Sequence, residues 1–364
     1  MDRAGTRPGD LTLPSAYQTE PSALGEFTAG HASYRADQLR EWLYRNPVLD
    51  TSLMTNLPPD IRTALADRLW PFALEIEQSA DGGRTKKWLF RTPDGASIES
   101  VLMGYTSRTT LCISSQAGCA MACTFCATGQ FGFERHLDVG EIFAQVAYAN
   151  AVLRANPIPG SPQRVTNVVF MGMGEPLANY DNVIGSLGRM IDDVDMAARA
   201  ITVSTVGVVP GMRRLAEEGR QVGLAVSLHA ADDQLRTTLV PLNKRYPLDD
   251  VIAAARYYFD RTGRRISIEW TLMAGVNDTM EQATKLTSIA RDLKAHVNVI
   301  AMNPTPLTPH RPPTPDRISS FMDALIDHRA TATFRETRGK EIDAACGQLR
   351  IRGTDDSPGR KQQA

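Results

Sequence analysis

Five cysteines, Cys112, Cys119, Cys123, Cys126 and Cys346, are the residues whose types and spacing can do chemistry. Four of them fall within fifteen residues, and an odd total is poor material for a disulfide framework. Cys119-x3-Cys123-x2-Cys126 offers three thiolates at short spacing. Structural zinc takes four ligands, usually as two short-spaced pairs, and no second pair is present. Three thiolates suit a [4Fe–4S] cluster that leaves one iron open, and an open coordination position can chelate a substrate. Zinc, or three packing cysteines that happen to be close, are the readings this spacing disfavours.

Other residues are weaker signals alone. Cys346 sits in Asp343-Ala344-Ala345-Cys346-Gly347-Gln348-Leu349, a small-residue segment with basic residues nearby that would lower a thiol pKa. Cys112 lies just upstream of the cluster loop, where a buried free cysteine is the ordinary expectation. Gly172-Met173-Gly174-Glu175-Pro176 would let backbone groups approach a ligand closely, with Glu175 fixing its polar end. A lone Glu99 in a hairpin is usually a surface charge, and a strand-end His229 usually satisfies a carbonyl. Arg84, Lys86, Lys87 and Arg91 crowd one segment, and Arg335, Arg338, Lys340, Arg350 and Arg352 another. On charge alone both read as solvated faces.

The elements that must position these residues follow from the pattern of apolar runs. The chain has 364 residues, 42% of them hydrophobic, and a net charge of −1. That suffices for one large α/β domain with a small accessory one. No run approaches the roughly 18–20 apolar residues of a membrane helix, and the first residues carry no apolar leader core. A cytoplasmic location is the resulting expectation. Residues 1–30, rich in Gly, Pro, Ser and Thr, predict a loose arm. Residues 31–82 predict a small helical domain, with Leu57-Pro58-Pro59 opening a helix. Residues 83–109 predict a hairpin linker, with Lys87–Arg91 and Ala96–Met103 joined at Pro93-Asp94-Gly95.

From residue 110 to 330, strands are predicted at Leu111–Ser114, Val165–Met171, Ala200–Ser204, Gly223–Leu228, Ile266–Leu272 and Val297–Met302. Helices such as Val139–Leu153, Leu248–Phe259 and Met280–Leu293 lie between them. Six βα units predict a parallel sheet curled into a TIM-like barrel or partial barrel, with chemistry at the C-terminal strand ends. A proline-rich loop spans Asn303–Pro315. A final helix (Ile318–His328) and a C-terminal segment, 331–364, complete the chain.

With these residues in place, the chain resembles the radical SAM superfamily, whose signature is this CxxxCxxC after the first strand with an aromatic, here Phe125, before the last cysteine. The GEP loop at Gly174–Pro176 matches as well. The resemblance implies a partial (β/α)6 barrel, one [4Fe–4S] cluster on Cys119, Cys123 and Cys126, and S-adenosylmethionine (SAM) bound to the open iron through its amino and carboxylate groups. One electron then cleaves SAM to methionine and a 5′-deoxyadenosyl radical.

Within the superfamily, the chain is similar to the bacterial adenine C2-methyltransferases of 23S rRNA over roughly residues 35–352. The matching strings are Thr110–Gln116, Phe170–Leu177, Ser227-Leu228-His229-Ala230 and Thr337–Leu349. In that family, two SAM molecules are used per turnover. One methylates a cysteine thiolate, matched by Cys346, because an electron-poor aryl C–H resists polar methyl transfer. The other supplies the radical that turns the S-methyl group into a methylene bridge to adenine. Cys112 matches the thiol that resolves this adduct and ends as a Cys112–Cys346 disulfide, and Glu99 matches the proton acceptor. SAM-pocket positions carry over to Gly174, Glu175, Ser204, Ser227, Leu228, His229 and Asn303.

The resemblance further implies 23S rRNA and tRNA as substrates, a flavodoxin-type electron donor, no membrane partner and a monomer. The helical domain and basic clusters become candidate RNA contacts. Three alternatives stay open. A sister branch methylates carbon 8 of the same adenine. An RNA-binding ribosome-assembly protein could carry a structural cluster. A radical SAM enzyme could act on small molecules, though it would not need the helical domain or the Cys346 loop.

Overall fold

Chain direction through one large sheet sets where the cysteines lie. The structure is a computed structural model and describes residues 13–305, 308–335, 338–344 and 347–349. Its strands are β1 (Ala73–Ala80), β2 (Thr85–Arg91), β3 (Ser97–Gly104), β4 (Thr109–Cys112), β5 (Gln116–Gly118), β6 (Phe133–His136), β7 (Asn167–Phe170), β8 (Ile201–Thr205), β9 (Gly223–Ser227), β10 (Ser267–Leu272), β11 (His296–Ala301) and β12 (Thr331–Arg335). Ten form a single sheet in the order β1-β2-β3-β4-β7-β8-β9-β10-β11-β12, while β5 and β6 pair separately. β1 to β4 run antiparallel. From β4 to β12 every neighbour is parallel.

The helices are α1 (Tyr34–Arg40), α2 (Pro59–Ala66), α3 (Ala127–Phe131), α4 (Val139–Ala155), α5 (Tyr180–Gly188), α6 (Val209–Glu217), α7 (Asp233–Leu239), α8 (Leu248–Thr262), α9 (Met280–Asp292) and α10 (Pro315–Asp327). Local chemistry sets their ends. Asp138 and Glu141 cap α4 reciprocally, Thr279 and Thr314 cap α9 and α10, and Gly263 in the left-handed region stops α8. No described helix is long and apolar enough to cross a membrane.

Alternation along the strands divides the sheet into two faces. Leu111, Val168, Val203, Leu224, Val226, Ile268, Trp270, Val297 and Val299 point outward into the helix-covered core. Cys112, Ser204, Ser227, Glu269 and Asn298 occupy the intervening positions and line the inner face. The fold is therefore the expected α/β arrangement with a mostly parallel sheet, and all six predicted strands form within two residues of their expected ends.

Four expectations need correction. The sheet gains a seventh parallel strand, β12, inside what reads as a C-terminal segment. β1 falls within the stretch read as helical. It is an edge strand, and its nearly uniform exposure hides the period-2 signal. The hairpin β2–β3 is not a linker, because β3 is hydrogen-bonded to β4 and continues the main sheet. Finally, the loose arm is packed from Ser15 onward, with Ala16, Tyr17, Leu24 and Phe27 all buried.

Tyr17 is the anchor of that segment. Its ring stacks on Trp70 at 5.0 Å and tilts against Phe143 of α4 at 6.0 Å. Its hydroxyl donates to the Leu43 carbonyl at 3.1 Å, and Arg189 donates to its own carbonyl. A Cβ on Gly140 would lie 2.4 Å from the Tyr17 carbonyl oxygen, so α4 presents glycine where the segment crosses it. Tyr17→Ala should cost about 3–5 kcal/mol, the usual range for a buried aromatic truncated to alanine. Urea denaturation should show the lost stability, and limited proteolysis should show cleavage near residues 13–29. An unchanged midpoint would mean this segment is not part of the cooperative unit.

Candidate active site

The three cysteines of the spaced motif lie where the chain leaves β4, turns through β5 and enters α3. Cys119 follows β5, and its N–H donates to the Gly132 carbonyl at 2.7 Å. Gly118 before it has φ +74°, and a Cβ there would sit 2.2 Å from that same carbonyl oxygen, so only glycine fits. Cys126 closes a tight turn on the Cys123 carbonyl and caps α3. All three thiols line one cleft at the C-terminal ends of the strands.

Burial opposes the charged form of these thiols. It pushes Cys119 up to about 12, raises Cys123 well above the usual thiol range, and raises Cys126. Proximity of Cys126 and of the Glu175 carboxylate adds to the shift at Cys119 and Cys123. Thiolates here need a cationic group to ligate. Among the described residues, no three His, Cys, Asp or Glu side chains are arranged to hold a single metal ion. Three thiols sharing one wall fit a [4Fe–4S] cluster with one open position.

The glycine loop after β7 is interlocked with this motif. Met173 N–H donates to the Ser114 hydroxyl at 2.9 Å, Ser115 N–H donates to the Met173 carbonyl at 2.9 Å, and Glu175 N–H donates to the Gln116 side chain at 2.8 Å. A Cβ on Gly172 would lie 2.6 Å from the Ile113 carbonyl. Gly174, at φ +103°, would meet Gln116 at 2.6 Å. The Glu175 carboxylate accepts from Leu177 N–H at 3.0 Å and Val206 N–H at 2.9 Å. Burial nevertheless raises it to about 7, so it is suited to a cationic partner.

Opposite, the Ser204 and Ser227 hydroxyls meet at 3.3 Å. His229 has φ +59°, and its Nδ1 accepts from Thr271 N–H at 3.0 Å, which leaves the proton on Nε2. Burial, with the nearby Arg236 charge, lowers His229 to about 3, so the ring is neutral and packs edge-on to Phe125 at 4.5 Å. Gly174, Glu175, Ser204, Ser227 and His229 all line the cleft with the cysteines. Leu228 is buried beside it through its N–H bond to the Glu269 carbonyl, and Asn303 is buried just beyond β11.

The remaining predicted residues gather on the adjoining part of the inner face. Cys112 is buried opposite Val101, and Glu99, two residues before Val101, shares that face. Ala344 and Leu349 pack in one apolar cluster with Cys112, Val101 and Met173. Cys346 itself lies outside the described residues. Its described neighbour Gly347 lines the cleft and accepts from Ala127 N–H, next to Cys126, at 2.8 Å. Leu349 accepts from the Thr128 hydroxyl at 2.7 Å.

Sequence reasoning read the basic clusters as solvated faces on charge alone and as candidate RNA contacts by resemblance, and much of the first is engaged internally. Lys87 is buried against Glu99, Lys86 pairs with Glu77, and Arg91 pairs with Glu75. In the second, Arg335 lies 3.6 Å from Glu269 and Arg338 packs on Tyr105. Arg350, Arg352 and the Lys340 side chain are outside the described part. Glu269 was not anticipated. It is buried in the cleft wall, accepts from Asn298 at 2.8 Å, and burial raises its carboxyl above the usual range. A single charge inside the apolar run Ile268–Leu272 was the available signal.

Comparison with known proteins agrees with this geometry. The radical SAM superfamily description matches residues 113–287, and the ribosomal RNA large subunit methyltransferase N-terminal domain matches residues 20–70. A probable dual-specificity RNA methyltransferase RlmN of Streptomyces griseus is 43% identical over 361 residues, covering 94% of this chain and 98% of the relative. The dual-specificity RNA methyltransferase RlmN 1 of Myxococcus xanthus is 45% identical, covering 93% and 95%. The chain belongs to the RlmN family of radical SAM methyltransferases. The crystal structure of a radical SAM methyltransferase from Sphaerobacter thermophilus superposes with a TM-score of 0.86 at 46% identity, covering 93% of this chain and 99% of that one.

Membership of this family brings a [4Fe–4S] cluster and SAM as cofactors, and the three thiols and the glycine loop suit them. Gly174→Ala should strain a left-handed position and push Gln116 away, at about 1–3 kcal/mol. Equilibrium dialysis of the reconstituted variant should show SAM affinity reduced roughly tenfold or more. Undiminished binding would mean the loop does not contact SAM.

Proposed function

We propose that this protein methylates carbon 2 of an adenine in 23S rRNA, and an adenine of tRNA, through a methyl group carried on Cys346. The observation that carries this reading is the placement of the chain around position 346. Gly347 is bonded beside Cys126 in the cleft, while Ala344 packs with Cys112 on the face that bears Glu99. These described flanks reach the cluster loop at Cys126 on one side and the Cys112 thiol on the other.

In this reading Cys119, Cys123 and Cys126 hold the cluster. Gly174, Glu175, Ser204, Ser227, Leu228, His229 and Asn303 hold SAM. Bound together, cluster and SAM supply one-electron chemistry that can activate an unreactive C–H bond. Cys346 accepts the methyl carbon on sulfur, and that carbon becomes the link to the adenine ring. Glu99 takes the proton that leaves carbon 2. Cys112 pairs with the Cys346 sulfur as the methylated base departs. A flavodoxin-type electron donor, a monomeric state and a cytoplasmic location accompany the reading.

RNA recognition is assigned to the N-terminal helical unit and to arginines beside Tyr105. Arg108 and Arg338 each stack 4.2 Å from the Tyr105 ring centroid, and neither is paired with a carboxylate among the described residues. Guanidinium groups held by an aromatic ring suit phosphates and unstacked bases.

Three measurements test this. Anaerobic incubation of reconstituted enzyme with labelled SAM, reductant and a 23S rRNA fragment should give 2-methyladenosine by nucleoside mass spectrometry. 8-Methyladenosine would move the reaction to the other carbon, and absence of methylated adenosine despite SAM cleavage would reject RNA as substrate. Cys346→Ala should abolish methylation, whereas Cys112→Ala should leave RNA covalently attached to protein on a denaturing gel. Normal product from either variant contradicts its role. Arg108→Ala should weaken RNA binding across sequences and lower the slope of log affinity against log salt by about 1. An unchanged slope would remove Arg108 from the RNA surface.

A further inference from the structure

Lys87 is a buried charge that the mechanism above leaves unused. Its side chain is 7% exposed and that of Glu99 2%, with Nζ 2.9 Å from a Glu99 carboxylate oxygen. The same ammonium donates to the Asp343 carbonyl at 3.2 Å. Strand register explains the meeting. Lys87 lies opposite Val101, Leu89 opposite Glu99, and Val101 opposite Cys112, so these residues share one face of the sheet. The segment 338–344 packs on that face, with Gly339 N–H bonded to Asp81 and Ala344 against Val101 and Cys112.

A buried ion pair is a poor stabilising device, because desolvating two charges offsets most of their attraction. Here one cation spans a carboxylate and a backbone carbonyl from a segment 256 residues away in the chain. That arrangement fixes position. We propose that Lys87 is a positioning residue that keeps Glu99 ionised and ties it to Asp343, three residues before Cys346. The inference rests on the roles given above to Glu99 and Cys346. In the step concerned, the C–H bond at carbon 2 breaks, its proton goes to a Glu99 oxygen, and its electron pair stays in the purine.

The titratable groups around Glu99 are few. β2 contributes Lys87, β4 contributes Cys112, and the segment 338–344 contributes Glu341 and Asp343. β1 offers only Ile76 and Gln78 to the same small cavity. Lys87 is the only cation among those described groups, and losing an ammonium 2.9 Å from a buried carboxylate favours the protonated form.

The test follows the ratio of released methylated RNA to RNA still covalently on the protein. Because the ratio is taken per adduct formed, losses in earlier steps drop out. Lys87→Gln keeps a donor for the Asp343 carbonyl but removes the charge. It should resolve the adduct roughly tenfold more slowly at neutral pH and recover as pH rises, since each pKa unit is a tenfold change in ionised carboxylate. Wild-type enzyme should be flat over the same range. Lys87→Arg, which keeps the cation, should resolve within about threefold of wild type with a flat profile.

Lys87→Gln resolving at the wild-type rate, or slowed equally at every pH, overturns the proposal. So does Lys87→Arg trapping RNA, a result that decides the matter even where Lys87→Gln does not fold. Glu99→Gln run alongside separates the two layers of inference. If it releases product normally, the Glu99 assignment fails and the Lys87 proposal with it. If it traps RNA while Lys87→Gln does not, the Lys87 proposal alone fails.

Discussion

Three thiols in one mainly apolar cleft are the constraint to which the rest of the molecule is fitted. Burial drives Cys119, Cys123 and Cys126 toward their neutral forms, so the loop that carries them has no electrostatic reason of its own to hold a ligating shape. The shape comes from outside. Gly118 lets the Cys119 turn lie on the Gly132 carbonyl, and the Ser114, Ser115 and Gln116 bonds to residues 173–175 lock two strand-end loops together. At both interlocking positions a single Cβ would occupy the space of a neighbouring residue, which is why glycine stands there.

A parallel sheet delivers those two loops to the same end, since β4, β7, β8, β9, β10, β11 and β12 all point the same way. Its outer face is apolar and covered by helices, which frees the inner face to carry serine, glutamate, asparagine and cysteine side chains. The N-terminal segment contributes by bracing α4 from outside through Tyr17, so accessory unit and barrel share one core.

The C-terminal segment then completes the inner face. It crosses the antiparallel strands at Asp81 and Lys87, packs on Cys112, and returns to the cluster loop at Ala127 and Thr128. Residues more than two hundred positions apart in the chain are thus brought into contact. The buried Lys87–Glu99 pair is the clearest sign that this closure is indexed by charge as well as by packing.

Much of this was legible in the linear chain, and the boundary of legibility has a physical cause. Cys119, Cys123 and Cys126, the glycine loop, and six strands with their helices declare themselves through local spacing, periodicity and capping, which depend on neighbours a few residues away. β1 escaped because an exposed edge strand has no buried face to produce alternation. The packed stretch after Leu13 escaped because its anchor, Tyr17, is a single aromatic among turn formers, and its burial depends on Trp70 and Phe143. Lys87 was read as part of a basic run, solvated or facing RNA, and only strand register across β2, β3 and β4 turned it inward beside Glu99. The chain by itself determined which groups can hold iron, sulfur chemistry and a nucleoside. Tertiary structure decided which charges are buried and which distant residues meet, because desolvation and register are properties of the packed sheet and not of any one segment of it.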